Sequence, residues 1–160
     1  LEDIRSYAAQ HLGVSLVENK DAMARQLLAG RLAAALDDRH RAVRREALFA
    51  LVNVDDRRGL DEVTTGLDTE RWQHDRDLII RCLYDLGKRD FAVKIRPFAD
   101  DGDDDARIAA LYVLGQWQDT ESRSAFERAL ASPTERVKRA GTLALSTLTT
   151  ATTQAPMSKF

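Results

Sequence analysis

Cysteine is almost absent from the 160 residues: Cys82 stands alone, which excludes an intramolecular disulfide and fits a reducing compartment, so the cytoplasm is the expected location. No apolar run approaches the roughly 20 residues that cross a bilayer, and no membrane association is expected. Surplus charge is missing as well. The 24 Lys and Arg against 26 Asp and Glu leave −2, so nothing supplies the global positive field that holds nucleic acid non-specifically, and nucleic acid is not the expected partner. Residues 1–12 alternate charged and apolar side chains and lack the apolar core of a secretory signal. The chain opens on Leu1 without a methionine, which reads as a processed product or a piece of a longer protein. Val/Ile/Thr alternation of period two is absent before the C-terminal tail, so no strand is expected. What is present, 44% hydrophobic and 31% charged residues, suits a folded, soluble chain with a heavily charged surface.

Self-similarity decides the fold class. A frame of small or apolar residues spaced four apart occurs five times: Ile4-Ala8-Leu12, Val43-Ala47-Leu51, Leu78-Cys82-Leu86, Ala106-Ala110-Leu114 and Val137-Gly141-Leu145. Successive frames are offset by 39, 35, 28 and 31 residues. Four-residue spacing puts each triplet on one helix face, and the small middle residue allows a neighbouring backbone to approach. Gly13, Gly87 and Gly115 each follow the last leucine of a frame, where a left-handed residue commonly ends a helix. Asp55, Asp56, Asp90 and Asp119 then stand where a following helix needs a cap. Apolar residues at helical spacing mark that second helix, for example Leu28-Leu32-Leu36 and Phe91-Ile95-Phe98, and Pro97 makes the latter short or kinked. The expectation is an all-α superhelix, a solenoid of about four and a half helical hairpins over 1–148, followed by a Thr-rich tail over 149–160. Met157 and Phe160 are expected to dock that tail.

Segments 38–51 (DRHRAVRREALFAL) and 104–115 (DDARIAALYVLG) closely resemble HEAT repeats of the short bacterial kind, in which Asp precedes a small apolar residue and Arg, then Ala, then Leu-Gly. The third unit departs, with Ile79 where Arg44 and Arg107 stand. The resemblance implies stacked hairpins and a ladder of basic residues, here Arg5, Arg44, Arg107 and Lys138, paired with aspartates of adjacent turns. It also implies a concave surface formed by the second helices. It says little about function, since such repeats serve many roles.

Catalytic chemistry is hard to assemble. His11, His40 and His74 are scattered, and neither His-x3-His nor Cys-x2-Cys occurs, so no metal site and no cofactor is expected. Cys82 is read as a buried thiol chosen for size. Five aspartates around Gly102, at 100–105, lack the ligand spacing of a calcium loop and read as a solvated acidic turn in which capping occupies one or two of them. The basic residues of 37–58 are interleaved with acids, six arginines against five carboxylates, a salt-bridged surface and not a phosphate track. No nucleophile elbow, phosphate loop or zinc-protease helix occurs.

Departures from the repeat carry the functional expectation. The long connection 68–77 offers Trp72 and His74 as partner contacts, with Trp72 folded back onto the core as the opposing reading, and Trp117 sits in a turn between paired helices. The expected function is a non-catalytic scaffold that binds a protein or peptide. The alternatives are an accessory domain of a larger bacterial peptidase or lyase and, more weakly, an enzyme acting on nucleic acid or a tetrapyrrole.

Overall fold

The computed structural model describes residues 2–153, with side chains over 3–148. Among these residues the fold is all-helical, without a strand. Packing groups the helices into a first unit ending at Thr69 and a second beginning at Glu70. Met157 and Phe160 lie outside the described residues, and the last helix runs through the 148/149 boundary to Thr153.

The first unit contains α1 (Glu2–Glu18), α2 (Ala22–Ala35), α3 (Arg41–Asn53) and α4 (Arg57–Gly66). Asp21 starts α2 by accepting hydrogen bonds from the N–H groups of Met23 and Ala24, and Asp56 starts α4 by accepting from Arg58; each satisfies donors that the first turn leaves without partners. α1 packs on α3 and α2, and α3 on α4. Leu16, Leu32, Leu48 and Leu51 fill the interior.

The second unit contains α5 (Arg76–Asp85), α6 (Ala92–Ile95), α7 (Asp104–Gln116), α8 (Arg123–Ala129) and α9 (Glu135–Thr153), with 3₁₀ turns at Glu70–Trp72, Arg89–Phe91, Arg96–Asp100 and Thr120–Ser122. α6 stops after four residues, and Pro97 sits in the 3₁₀ turn that follows. This is the shortened helix expected from a missing donor and a restricted Arg96. α7 packs on both α5 and α9, and α8 packs on α9.

One helix ending recurs three times and aligns the helices that carry it. The N–H of Asp56 donates to the carbonyl of Leu51, that of Lys88 to Leu83 and that of Asp119 to Leu114, at 3.0, 2.9 and 2.9 Å. The preceding residue is left-handed each time: Asp55 (φ 55°), Gly87 (φ 66°) and Gln118 (φ 57°). This is the Schellman ending of a helix. It aligns Leu51, Leu83 and Leu114, so the frames start at 43, 75, 106 and 137, spaced 32, 31 and 31 residues apart. The third frame is therefore Asp75-Ile79-Leu83, not Leu78-Cys82-Leu86, and Arg76 is the residue that matches Arg44 and Arg107. A bulky isoleucine in the small slot and an aspartate in the apolar one hide this register in the sequence.

Two further expectations are corrected. Of Gly13, Gly87 and Gly115 only Gly87 is left-handed; the other two lie inside α1 and α7. Their role is close approach: a Cβ on Gly115 would stand 2.8 Å from the Ala144 Cα, and one on Gly13 2.8 Å from the Ala50 Cβ. In the first frame Ile4 is 67% exposed and Ala8 is exposed, while Ala9, Gly13 and Leu16 are buried. Among the described residues α2 and α3 are the elements packed substantially against α1, so a single stripe of the helix needs to be apolar.

The basic residues of the frames reach backwards. Arg44 donates to the carbonyls of Asp38 and Arg39 at 2.9 and 3.2 Å, and Arg107 to that of Ala99 at 3.1 Å. Lys138 pairs with Glu135 at 2.7 Å. Of the four expected ladder cations, Arg5 alone bonds an aspartate carboxylate, that of Asp38. The others satisfy connection carbonyls or their own turn, because a long cation in the first helical turn has those acceptors nearest.

Candidate functional site

In the second unit α5, α7 and α9 leave a groove of about 600 Å³ along their outward faces, within the range of ~300–1,000 Å³ typical of ligand sites. Its floor and walls include Ile108, Tyr112 and Leu143, with Ala109 and Ala140 between them. The two alanines keep the floor low, and Tyr112 and Leu143 remain 42% and 47% exposed. Tyr84 meets the Tyr112 ring edge-on at 5.8 Å between centroids and lies 6.1 Å from the ring of Trp117. Arg81, Asp85, Arg136 and Arg139 supply the charged groups.

The groove follows the spacing of the frames. Arg81, Tyr112 and Leu143 each stand six residues after the start of their frames at 75, 106 and 137. The frame residues face inward, so a position six on turns outward, and Arg81, Tyr112 and Leu143 line the one groove. The first unit obeys the same rule: Phe49, six after Val43, lines a groove of about 300 Å³ with Gly13, Val14, Val17, Glu18 and Glu46.

Of the residues singled out in the sequence, Trp117 belongs to this aromatic set. It ends α7 and is half-buried beside Tyr84. Trp72 does not: its side chain is fully buried, which is the folded-back alternative for that connection. His74 is exposed and lies against Gln73, with 3.2 Å between its Nε2 and the amide nitrogen. The groove residues Arg81, Tyr84, Tyr112 and Leu143 are not evident from motif reading. A large side chain six residues after each frame start is the signal that reaches Arg81, Tyr112 and Leu143, and the third frame as first read, starting at Leu78, places Tyr84 at the same offset.

The carboxylates elsewhere are engaged structurally. In the acidic turn, Asp100 pairs with Arg128 at 2.6 Å, Asp101 accepts from the N–H of Asp103, and Asp103 accepts from that of Asp105. Asp104 accepts from Thr134 Oγ1 at 2.8 Å, and Asp105 pairs with Arg136 at 3.2 Å. The hydrogen bonds from Arg128 hold the Asp100 carboxyl below the usual range, against partial burial. At Asp119 burial opposes ionisation, but bonds from Arg96 and Ser122 outweigh it and the carboxyl is again lowered. Both shifts arise in ion pairs that tie segments of the fold together, so neither marks a proton-transfer group. Among the described residues no cluster of three or more His, Cys, Asp or Glu is placed to hold a metal ion. Cys82 is buried and unbridged. No described helix is long and apolar enough to cross a membrane. No protein-family model matches the chain, and no curated protein matches it either.

Proposed function

We propose that this chain is a non-catalytic binding module built as a HEAT-type α-solenoid, and that it holds a protein or peptide partner in the groove of α5, α7 and α9. The observation that carries the reading is the groove itself. Tyr112 and Leu143, large and partly apolar, are left open to solvent at equivalent repeat positions on a floor of alanines. Exposed side chains of this kind are costly to leave in water and are the usual anchors of a protein interface. The recurring spacing of 32, 31 and 31 residues supports the solenoid, since units that cannot bury their faces alone gain by stacking. The binding surface on this reading lies on the first helix of each hairpin, not on the second helices.

Selection of random displayed peptides on the immobilised chain tests this. Enriched peptides are expected to bind saturably, and to lose at least ~10-fold in affinity to the double variant Tyr112→Asp, Leu143→Asp, whose far-UV circular dichroism stays unchanged because both side chains are exposed. Failure to enrich any peptide, or equal binding by the folded double variant, overturns the proposal.

A further inference from the structure

The charges facing the groove specify what fills it. α5 contributes Arg81 and Asp85, α9 contributes Arg136 and Arg139, and α7 contributes no ionisable group but Tyr112. Three cations face one carboxylate. Arg136 is shared with Asp105 across 3.2 Å at the exposed surface, and Arg81 has no ion-pair partner among the described residues. Arginine offers a planar fork of donors that matches a carboxylate and also stacks on aromatic rings. An occupant must therefore cover an apolar floor and bring negative charge to its edge.

We infer, on the basis of the binding-module reading above, that the groove receives an acidic amphipathic segment of a protein partner. Apolar side chains of the segment seat on Tyr112 and Leu143, and Asp or Glu residues beside them engage Arg81 and Arg139. Recognition of this kind reads apolar anchors at i, i+3, i+4 and i+7 of a helical ligand. The first unit supplies the opposite case in the same chain. Its groove carries Glu18 and Glu46 and no Lys or Arg, so an acidic segment meets like charge there and is rejected.

Fluorescence anisotropy on the full chain with three labelled peptides tests the inference. The peptides share one apolar stripe of Leu and Phe at i, i+3, i+4 and i+7 and differ in their flanks, which are Glu, Gln or Lys. The Glu peptide is expected to bind at least ~10-fold more tightly than the Lys peptide at low ionic strength, with the margin shrinking as salt rises. Arg81→Gln with Arg139→Gln is expected to reduce that margin to about twofold or less, while Phe49→Ala leaves it unchanged. Equal or tighter binding of the Lys peptide overturns the inference, as does a preference that survives loss of both arginines. A single-stranded oligonucleotide that displaces the Glu peptide at lower concentration than the unlabelled Glu peptide itself also overturns it, since the arginines then serve phosphate. If the three peptides bind alike and all three are lost in Tyr112→Asp, Leu143→Asp, the binding module stands and only the charge inference falls. If none is affected by that double variant, the groove reading falls with it.

Discussion

The grooves of the two units are lined from the same offset within their frames, Phe49 in one and Tyr112 and Leu143 in the other, but are built differently. In the first unit Phe49 and the valines of α1 are rimmed by Glu18 and Glu46; in the second, Tyr112 and Leu143 are rimmed by arginines, and the volume is about 600 Å³ against about 300 Å³. The interiors differ in the same direction. The first unit is filled by leucines, while the second encloses Trp72 and Phe126 as well as Ile79, Ile80, Leu83 and Ile95. Sequence-distant segments of the second unit are also joined by Arg96 to Asp119 and Glu121, and by Arg128 to Asp100. The first unit has such a tie in Arg5 to Asp38 but leaves more apolar side chains in water, along α1 and α2, Met23 at 82% exposure among them. The chain thus combines a firmly anchored unit with a large cationic groove and a more loosely anchored one with a small acidic groove. Since open states are drawn from the regions with fewest buried contacts, amide exchange is expected to be faster in the first unit than in the second.

The largest expected effect breaks that ranking. Trp72→Ala removes the largest buried side chain of the second unit and is expected to cost about 3–5 kcal/mol in chemical denaturation, bringing exchange in α5 and α7 up to the rate of the first unit. A midpoint unchanged from the parent would mean that Trp72 is a surface residue after all.

Next comes the close approach of helices. Adding Cβ at either glycine gains up to about 1 kcal/mol of helix propensity. At Gly13 the added atom meets mainly the Ala50 methyl, but at Gly115 it meets the Ala144 Cα at 2.8 Å and its Cβ at 2.9 Å. An alanine Cβ is fixed to its backbone and yields no more readily, so either variant pushes the helices apart, and overpacking costs about 1–3 kcal/mol. Both variants are therefore expected to be net destabilising, Gly115→Ala the more so because its added atom meets the Ala144 backbone as well. Equal melting temperatures for the two variants would refute the distinction.

The ion pairs come third. Asp119 accepts two hydrogen bonds from Arg96, at 2.9 and 2.8 Å, in a partly buried setting. Asp119→Asn is expected to cost about 1–2 kcal/mol at neutral pH. The Asp119 carboxyl is lowered in the folded state, so its contribution is complete above the ordinary aspartate value of about 3.9 and is lost as pH falls through the lower folded value. Stability measured from pH 5 down to about pH 2 is thus expected to fall less steeply in Asp119→Asn than in the parent. Parallel curves would remove this pair from the account of why the second unit is the firmer one.

Much of the helical character is legible in the sequence, because Val43-Ala47-Leu51 and Ala106-Ala110-Leu114 are regular and a four-residue spacing has one structural meaning. The third frame is not legible: Asp75, buried in a slot that is apolar elsewhere, and Ile79, in a slot that is small elsewhere, are both tolerated by packing that the pattern does not encode. The offset of six reaches Tyr84 from Leu78 and Arg81 from Asp75, so either register points to a groove residue; that the residues at this offset stay open to solvent depends on packing that the sequence pattern does not encode. Aromatic content singles out Trp117, which stands beside Tyr84, and Trp72, for which the structure takes the core alternative, because whether an indole is a core or a contact depends on tertiary burial.

The smallest effect sharpens the comparison at the helix ends themselves. Gln118 and Asp55 occupy left-handed positions in which Gly87 sits without strain. A side chain there costs roughly 1–2 kcal/mol, less for aspartate, which bonds locally in that conformation. Glycine in turn adds unfolded-state entropy worth about 0.4–1 kcal/mol. Gln118→Gly is accordingly expected to stabilise the chain by about 0.5–1 kcal/mol, Asp55→Gly by less than half of that, and Gly87→Ala to destabilise it by about 1 kcal/mol. Equal gains at 55 and 118 in thermal denaturation would show that both ends bear the same strain, and the difference between the units would then rest on their interiors and ion pairs alone.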